Sequence, residues 1–248
     1  MDNVYKYILR IADSSLIRGQ RMSEWCSKGP TLEEDIAMSN ISLDLFGQAN
    51  GFYEYASKLD GTKTKDDLAF KRNEREFFNL QLTEQENGNF GDTTVRNFLH
   101  DAYNFLLYTE LTKSKDETIA ALAAKSLKEV KYHLRHSKNW LIRLGDGTKE
   151  SNQKVQNAIN KLWKYTGELF EMDKIDLEVY DAGIGANNKE LKSNWDNIVN
   201  DTLEKAKLVR PKDSYMASGS KEGIHTEHLG FILAEMQFLQ RAYPDAKW

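Results

Sequence analysis

The sequence predicts an all-α protein built as a bundle of antiparallel helices. Apolar residues recur every three to four positions through most of the 248 residues, which is the period of one face of a helix. Stretches that alternate apolar and polar residues, as strands do, are almost absent. Short turns separate the helical segments, and no repeat of fixed period indicates a solenoid.

The clearest helix covers residues 120–140. Its sequence, AALAAKSLKEVKYHLRHSKNW, is dominated by Ala, Lys, Glu and Leu, which favour helices. Gly145 and Gly147 are expected to end this helix and to return the chain into the next one. Further helices are predicted at residues 3–27, 31–59, 66–82, 92–113, 148–170, 191–208 and 225–242.

Local signals mark where these helices begin and where loops intervene. Residues 31–34 and 114–117 have the Ser/Thr-x-x-Glu pattern of a capping box, which predicts a helix start at each. Asn87-Gly88 could form a hairpin turn. Residues 171–189 are predicted to form an extended loop, and the charge-rich residues 63–75 a solvated face.

Composition excludes several classes of protein. The formal net charge is −4, so nothing attracts the chain as a whole to nucleic acid or to an anionic membrane. No apolar run approaches the roughly 18 residues that a membrane span requires. A single cysteine, Cys26, excludes an internal disulfide and is expected to be buried. We therefore expect one cytoplasmic domain over residues 1–248.

Histidines are the first candidates for chemistry, because phosphate-binding loops, nucleophile elbows and His-Glu-x-x-His motifs are absent. Glu129, His133 and His136 lie near the centre of the 120–140 helix. A di-iron helical bundle instead uses Glu-x-x-His, and the residue three before His133 is Val130. His225 and His228 repeat the three-residue spacing at a predicted helix start, where solvation or a partner contact is favoured over a zinc site.

Several segments resemble one protein family closely. They are LDLFGQA at 43–49, EQENGNFGD at 84–92, KEVKYH at 128–133, QNAINKLW at 156–163, HTEHLG at 225–230 and AEMQFLQ at 234–240. In these segments the chain resembles the C subunit of bacterial phenylacetyl-CoA epoxidase, and the resemblance extends along the whole chain. It implies a ferritin-like fold and a multicomponent monooxygenase of aerobic phenylacetate degradation.

The resemblance also implies how the work is divided between subunits. A related A subunit is expected to hold the di-iron site and bind the CoA thioester, while a reductase supplies electrons from NADPH. The present chain is then a non-catalytic structural partner of the A subunit, without a cofactor of its own, and self-association is an alternative. The complex would epoxidise the aromatic ring of phenylacetyl-CoA.

The A subunit's ligand pattern can be laid over this sequence position by position. Its carboxylates and histidines fall on Glu24, Leu45, Gln48, Asp101, Val130 and His133. Only Glu24, Asp101 and His133 keep a residue able to bind a metal as the pattern requires. The overlay therefore predicts a vestigial, metal-free pseudo-site, in which protonated His133 or a Lys or Arg from a facing helix replaces the charge of the iron.

Two rival functions remain open on the sequence alone. The first is a homo-oligomeric di-metal oxidase that uses Glu129, His133 and His136 with nearby carboxylates. The second is a helical adaptor of another pathway. The aromatic residues Trp163, Tyr165, Phe170 and Trp248 are expected in the core or at an interface rather than around a cofactor.

Overall fold

The computed structural model describes residues 2–244 and 246 and confirms the all-α prediction. Those residues contain no strand, so the turn at Asn87-Gly88 joins no hairpin. None of the described helices combines the length and the apolar character that crossing a bilayer requires. The α-helices in this part of the chain are α1 Asp2–Ser23, α2 Leu32–Asp60, α3 Lys65–Phe70, α4 Gln81–Glu84, α5 Phe90–Leu111, α6 Glu117–Gly145, α7 Lys149–Leu162, α8 Lys174–Asp181, α9 Asn188–Lys205, α10 Glu227–Met236 and α11 Phe238–Ala242.

These helices fall into two compact units. The first contains the described residues of Met1–Gln85 and of Gly219–Trp248, and the second contains Glu86–Ser218. The first unit thus joins the two ends of the chain around α1 to α4, α10 and α11. The expectation of one domain over residues 1–248 stays a prediction.

The centre of the first unit is the pair α1 and α2. The Ser42 hydroxyl of α2 donates to the Gly19 carbonyl of α1 at 2.8 Å. A Cβ at Gly19 would lie 2.8 Å from the Phe46 ring, so the glycine permits the close approach of the two helices. The predicted start of α2 is confirmed, since the Thr31 hydroxyl accepts from the Glu34 backbone N–H.

A buried ion pair interrupts the helix predicted at residues 66–82. Arg72, which is 4% exposed, donates through Nη1 to Asp13 Oδ2 at 3.1 Å and through Nη2 to Asp13 Oδ1. The same carboxylate accepts the Phe78 N–H at 2.8 Å, and the Ser14 hydroxyl accepts the Leu80 N–H at 3.2 Å. Because α1 supplies acceptors for these amides, residues 77–80 run extended instead of continuing the helix.

The surroundings of Arg72 keep its charge in the interior. Tyr53 donates to Asp13 Oδ1 at 2.5 Å, and burial together with the Asp13 charge raises the pKa of Tyr53 well above its ordinary value. Burial is the largest influence on the pKa of Arg72 and would lower it, but the charge and hydrogen bond of Asp13 together with Tyr53 and Tyr5 raise it above its ordinary value. The prediction of a solvated face over residues 63–75 is therefore wrong at Arg72.

The last predicted helix, at residues 225–242, is shorter than expected and broken. It begins at Glu227, and Gln237 separates α10 from α11. The Gln237 side chain turns inward and donates to the carbonyls of Ala69 at 3.3 Å and Arg72 at 3.0 Å. These bonds supply a donor to backbone carbonyls at the C-terminal end of α3 and just beyond it, which the helix itself does not pair.

The second unit packs α5 against α6, with α7 and α9 beside them. The Trp195 indole of α9 donates to the Leu99 carbonyl of α5 at 3.0 Å. Trp163, Tyr165 and Phe170 are buried, which confirms their prediction as core residues. Trp248 lies outside the described residues.

The structure corrects three predictions in this part of the chain. The cap of α6 is Asp116, not Ser114, whose hydroxyl donates to the Ile184 carbonyl at 2.7 Å. The helix predicted at 148–170 ends as an α-helix at Leu162 and continues in two 3₁₀ turns. The loop predicted at 171–189 contains α8, which Asp173 caps by accepting the Asp176 N–H.

In the first unit, Cys26 is exposed rather than buried.

Packing in the second unit predicts a strong effect of Gly145→Ala. A Cβ at Gly145 would collide with the Ala206 carbonyl oxygen and lie 2.8 Å from the Ala206 Cβ. We expect the substitution to lower the free energy of unfolding by about 1–3 kcal/mol in urea titrations. Gly47→Ala is the control, because a Cβ there meets nothing within 4 Å and should stabilise α2 by about 0.5–1 kcal/mol. Equal effects of the two substitutions would contradict this account.

Candidate functional site

The pseudo-site positions of the first unit are Glu24, Leu45 and Gln48. Glu24 follows α1 and accepts from Arg21 Nη1 at 2.9 Å, so the cation beside it comes from its own segment rather than from a facing helix. Leu45 and Gln48 are 0% and 4% exposed on α2. At Leu45 an aliphatic side chain packs in the core where the overlay places a carboxylate.

The pseudo-site positions of the second unit lie on the facing helices α5 and α6. Asp101 accepts from the Ser137 hydroxyl at 2.7 Å, and the same hydroxyl contacts the His133 carbonyl at 3.0 Å. Asp101, Val130 and His133 are each 1% exposed. The structure therefore brings Asp101 and the turn of α6 that begins at His133 together around a serine.

The donor set at these six positions does not fit a di-iron centre. Leu45 and Val130 carry no donor atom, and Gln48 supplies a neutral amide where the pattern has an imidazole. Two divalent ions in close proximity need several carboxylates to balance their charge. Within residues 2–244 and 246, no group of three or more His, Cys, Asp or Glu side chains is arranged to hold a metal ion. The convergence of Glu24, Asp101 and His133 into one polar pseudo-site stays a prediction.

The rival metal-binding residues of α6 have different surroundings. His133 is buried, whereas Glu129 and His136 are half-buried. The His136 and Tyr132 rings lie 6.1 Å apart between centroids, with an angle of 36° between their planes. His133 and His136 therefore differ in access to solvent although they are three residues apart.

A buried centre that the sequence did not indicate surrounds Glu84 in the first unit. Glu84 Oε2 lies 2.9 Å from His225 Nδ1, and both side chains are 0% exposed. Glu84 Oε2 also accepts from Asn79 Nδ2 at 2.8 Å. Glu84 Oε1 accepts from the Thr226 N–H at 2.6 Å and from the Thr226 hydroxyl at 2.7 Å. The prediction of helix-end solvation is therefore wrong for His225, while His228 is half-buried on α10.

The hydrogen bonds of His225 indicate its charge state. Its Nε2 lies 2.8 Å from the Phe77 carbonyl, which can only accept, so Nε2 carries a proton. Three other donors, the Asn79 amide and the Thr226 N–H and hydroxyl, face the two Glu84 oxygens, as expected for an ionised carboxylate, so Nδ1 is a donor too. We infer an imidazolium–carboxylate pair that binds residues 225–226 to α4.

Arg21 connects this pair to Glu24. Its Nε and Nη2 donate to the Glu84 carbonyl at 3.0 and 2.9 Å, while its Nη1 binds Glu24. A bidentate guanidinium fixes both position and angle. The network can hold three segments of the first unit in a fixed arrangement.

Sequence reasoning missed Asp13, Arg72 and Glu84 for one common reason. Each charged side chain is buried against partners that are distant in the chain, and local patterns give no sign of them. The available signal for Asp13 was its position four residues after Leu9 and three before Leu16, inside the apolar face of α1. For Glu84 and His225 it was their presence in segments that carry the family resemblance.

The Glu84–His225 pair predicts a large effect of Glu84→Gln on stability. The amide NH₂ would face donors at whichever oxygen it replaces, and the imidazolium would lose its counter-charge in the interior. We expect the free energy of unfolding to fall by about 3 kcal/mol or more, measured by urea titration at pH 7. Glu86→Gln is the matched control, because its pair with Lys161 is 55% exposed on both sides and should matter by less than about 1 kcal/mol. A loss below about 1 kcal/mol for Glu84→Gln would contradict the buried ion pair.

Comparison with known proteins shows which protein family the chain is related to. A family model described as phenylacetic acid catabolic protein matches residues 1–248. The chain is 48% identical over 248 residues to a protein of Escherichia coli (strain K12) that is named as the C subunit of 1,2-phenylacetyl-CoA epoxidase. The match covers 100% of both chains. The all-α architecture is consistent with the ferritin-like fold implied by the sequence resemblance.

Proposed function

The chain belongs to the phenylacetic acid catabolic protein family, and we propose that it is the non-catalytic C-type subunit of a phenylacetyl-CoA epoxidase. In this role it binds no metal and pairs with a related, di-iron-bearing A-type subunit in the cytoplasm. The complex is a monooxygenase that epoxidises the ring of phenylacetyl-CoA at the expense of oxygen and NADPH. The observation that carries the proposal is the end-to-end match to a relative that bears the name of the C subunit.

The chemistry of individual positions supports the metal-free part of the proposal. Leu45 and Val130 are buried aliphatic residues at two positions where the overlay requires carboxylates. Glu24 and Asp101, which the overlay retains, have Arg21 and Ser137 as hydrogen-bond partners. Each of these carboxylates therefore has a hydrogen-bond donor from the protein itself.

Two buried ion pairs support a structural role. Asp13 with Arg72, and Glu84 with His225, fix the ends of helices in the first unit. A subunit with rigid helices can hold the helices of a neighbour in place, and a fixed neighbour keeps an active site preorganised. The contribution of this chain to the reaction is then positional and acts through its partner.

Co-expression with the A-type subunit of the same epoxidase tests the proposal. We expect the two chains to co-purify, and the mixture with the reductase to epoxidise phenylacetyl-CoA. Omitting the present chain should lower the activity at least tenfold. Iron analysis should place the metal with the A-type subunit and find less than about 0.1 iron per isolated present chain, because buried aliphatic side chains cannot bind it.

Each rival function predicts a different result in the same experiment. Near-stoichiometric iron or manganese in the isolated chain would support the di-metal oxidase that uses Glu129, His133 and His136. Failure to co-purify with the A-type subunit would support an adaptor of another pathway. Full activity of the A-type subunit and reductase without this chain would also contradict the proposal.

A further inference from the structure

The solvent-facing side of α6 carries a row of cations. Lys125, Lys128, Lys131, Arg135 and Arg143 are all exposed. At 3.6 residues per turn, the five positions fall within about a third of the helix circumference, and the buried residues of α6 lie on the opposite side. At a rise of 1.5 Å per residue, the row is about 27 Å long. We call these five residues the α6 basic face.

The cations of the α6 basic face are not neutralised by acids of the same chain. Within residues 2–244 and 246, none of the five forms an ion pair with a carboxylate. Lysines of the neighbouring helices are paired instead. On α7, Lys154 lies 2.6 Å from Glu150, and on α9, Lys192 lies 2.9 Å from Asp196. The charge of the α6 basic face is therefore available to another molecule.

The segment that contains the α6 basic face differs in charge from the rest of the chain. Residues 118–145 hold six of the 34 Lys and Arg residues but only one of the 38 Asp and Glu residues, Glu129, which is half-buried. The formal charge of this segment is +5, and the remaining residues together carry −9. Charge of one sign concentrated on a surface attracts partners of the opposite sign.

Aromatic rings restrain two of the five cations. The Arg135 Cζ lies 5.5 Å from the centroid of the Tyr132 ring, and the Arg143 Cζ lies 5.1 Å from the centroid of the Trp140 ring. A cation–π contact restrains a guanidinium without cancelling its charge. Both guanidiniums can therefore still bind a carboxylate through two parallel hydrogen bonds. Tyr132, which is 38% exposed, adds an apolar contact near the middle of the row.

We infer that the α6 basic face binds an acidic face of another protein, with carboxylates spread along a length of about 27 Å. Lysine is depleted at the centre of stable interfaces, and exposed ion pairs between long side chains contribute little affinity. The association is therefore reversible and sensitive to salt. The inference goes beyond the proposed function and does not depend on it.

Other anionic occupants fit the α6 basic face less well. Nucleic acid would meet a chain of net charge −4, whereas domains that bind it are basic as a whole. A second copy of this chain would have to supply the acids, but acids such as Glu150 and Asp196 already pair with lysines of their own chain. The surface of a single helix is convex, so the five cations do not converge on one small anion.

Charge reversal on α6 and on α7 gives two matched variants. Lys128→Glu with Arg135→Glu reverses two cations seven residues apart on the α6 basic face. Lys154→Glu with Lys161→Glu reverses two cations seven residues apart on α7, where the side chains are 54% and 55% exposed. The net charge changes equally in both variants. Because all four positions are exposed, circular dichroism and the urea midpoint should stay close to the wild type.

The experiment measures binding of the full chain to a labelled helical peptide of about 20 residues with Glu along one face. The same peptide with Gln in place of Glu measures binding without charge. At about 50 mM NaCl we expect the Glu peptide to bind at least about tenfold more tightly than the Gln peptide. At about 300 mM NaCl its Kd should rise about fivefold or more, because screening is stronger.

The two variants show whether the binding belongs to α6. The α6 double reversal should raise the Kd for the Glu peptide at least about tenfold at the lower salt concentration, because two attractive contacts become repulsive. The α7 double reversal should leave the Kd within about threefold of the wild type. Lys128→Arg, which keeps the charge, should leave it within about twofold.

Several outcomes would overturn the inference. An equal loss for the α7 reversal would show that net charge alone controls the binding. Equal affinities for the Glu and Gln peptides, or tighter binding of a duplex DNA of matched charge, would exclude an acidic protein face. Self-association of the isolated chain that the α6 reversal abolishes would assign the face to a second copy. Because these measurements do not use the A-type subunit, a failure to co-purify with it would contradict only the proposed function.

Discussion

Burial of the Asp13 carboxylate is the constraint on which the arrangement of the first unit depends. A carboxylate without exposure to water is costly unless cations and donors surround it. Arg72, Tyr53 and the Phe78 N–H meet that need, and each comes from a different part of the chain. The requirement ends α3 early, extends residues 77–80, and so fixes where α4 begins.

The position of α4 in turn places Glu84, and Glu84 determines how the chain end joins the unit. The Thr226 N–H and hydroxyl both donate to the Glu84 carboxylate, and the negative charge of this carboxylate balances the positive charge of His225. A segment 141 residues later in the sequence is thereby held against the first helices. Contacts between residues so far apart in the sequence require a long loop to close before they form, which slows folding.

The sequence predicted those elements whose causes are local. Thr31 caps α2, and Gly61 ends it with a φ of 72°. The long α6 ends at Gly145. In each case the residue that predicted the helix end lies at that end. The predictions from sequence are wrong where a partner distant in the chain determines the surroundings of a residue. Arg72 looks solvated in a run of mixed charge, and His225 looks like a helix start, until Asp13 and Glu84 are seen beside them. The sequence shows which residues occupy the six overlay positions, but it does not show that Arg21 is the hydrogen-bond partner of Glu24.

Helix α2 has a buried face and an exposed face whose residues should respond differently to substitution. Leu45 faces the core at 0% exposure, whereas Leu43 is 65% exposed, since two residues along a helix correspond to a rotation of about 200°. The inner face packs Leu45 in the core, at a position where the overlay expects a carboxylate, and the outer face leaves Leu43 in contact with solvent. Substitutions at Leu45 should therefore lower the free energy of unfolding, whereas polar substitutions at Leu43 should change it little, although the two residues are separated only by Asp44.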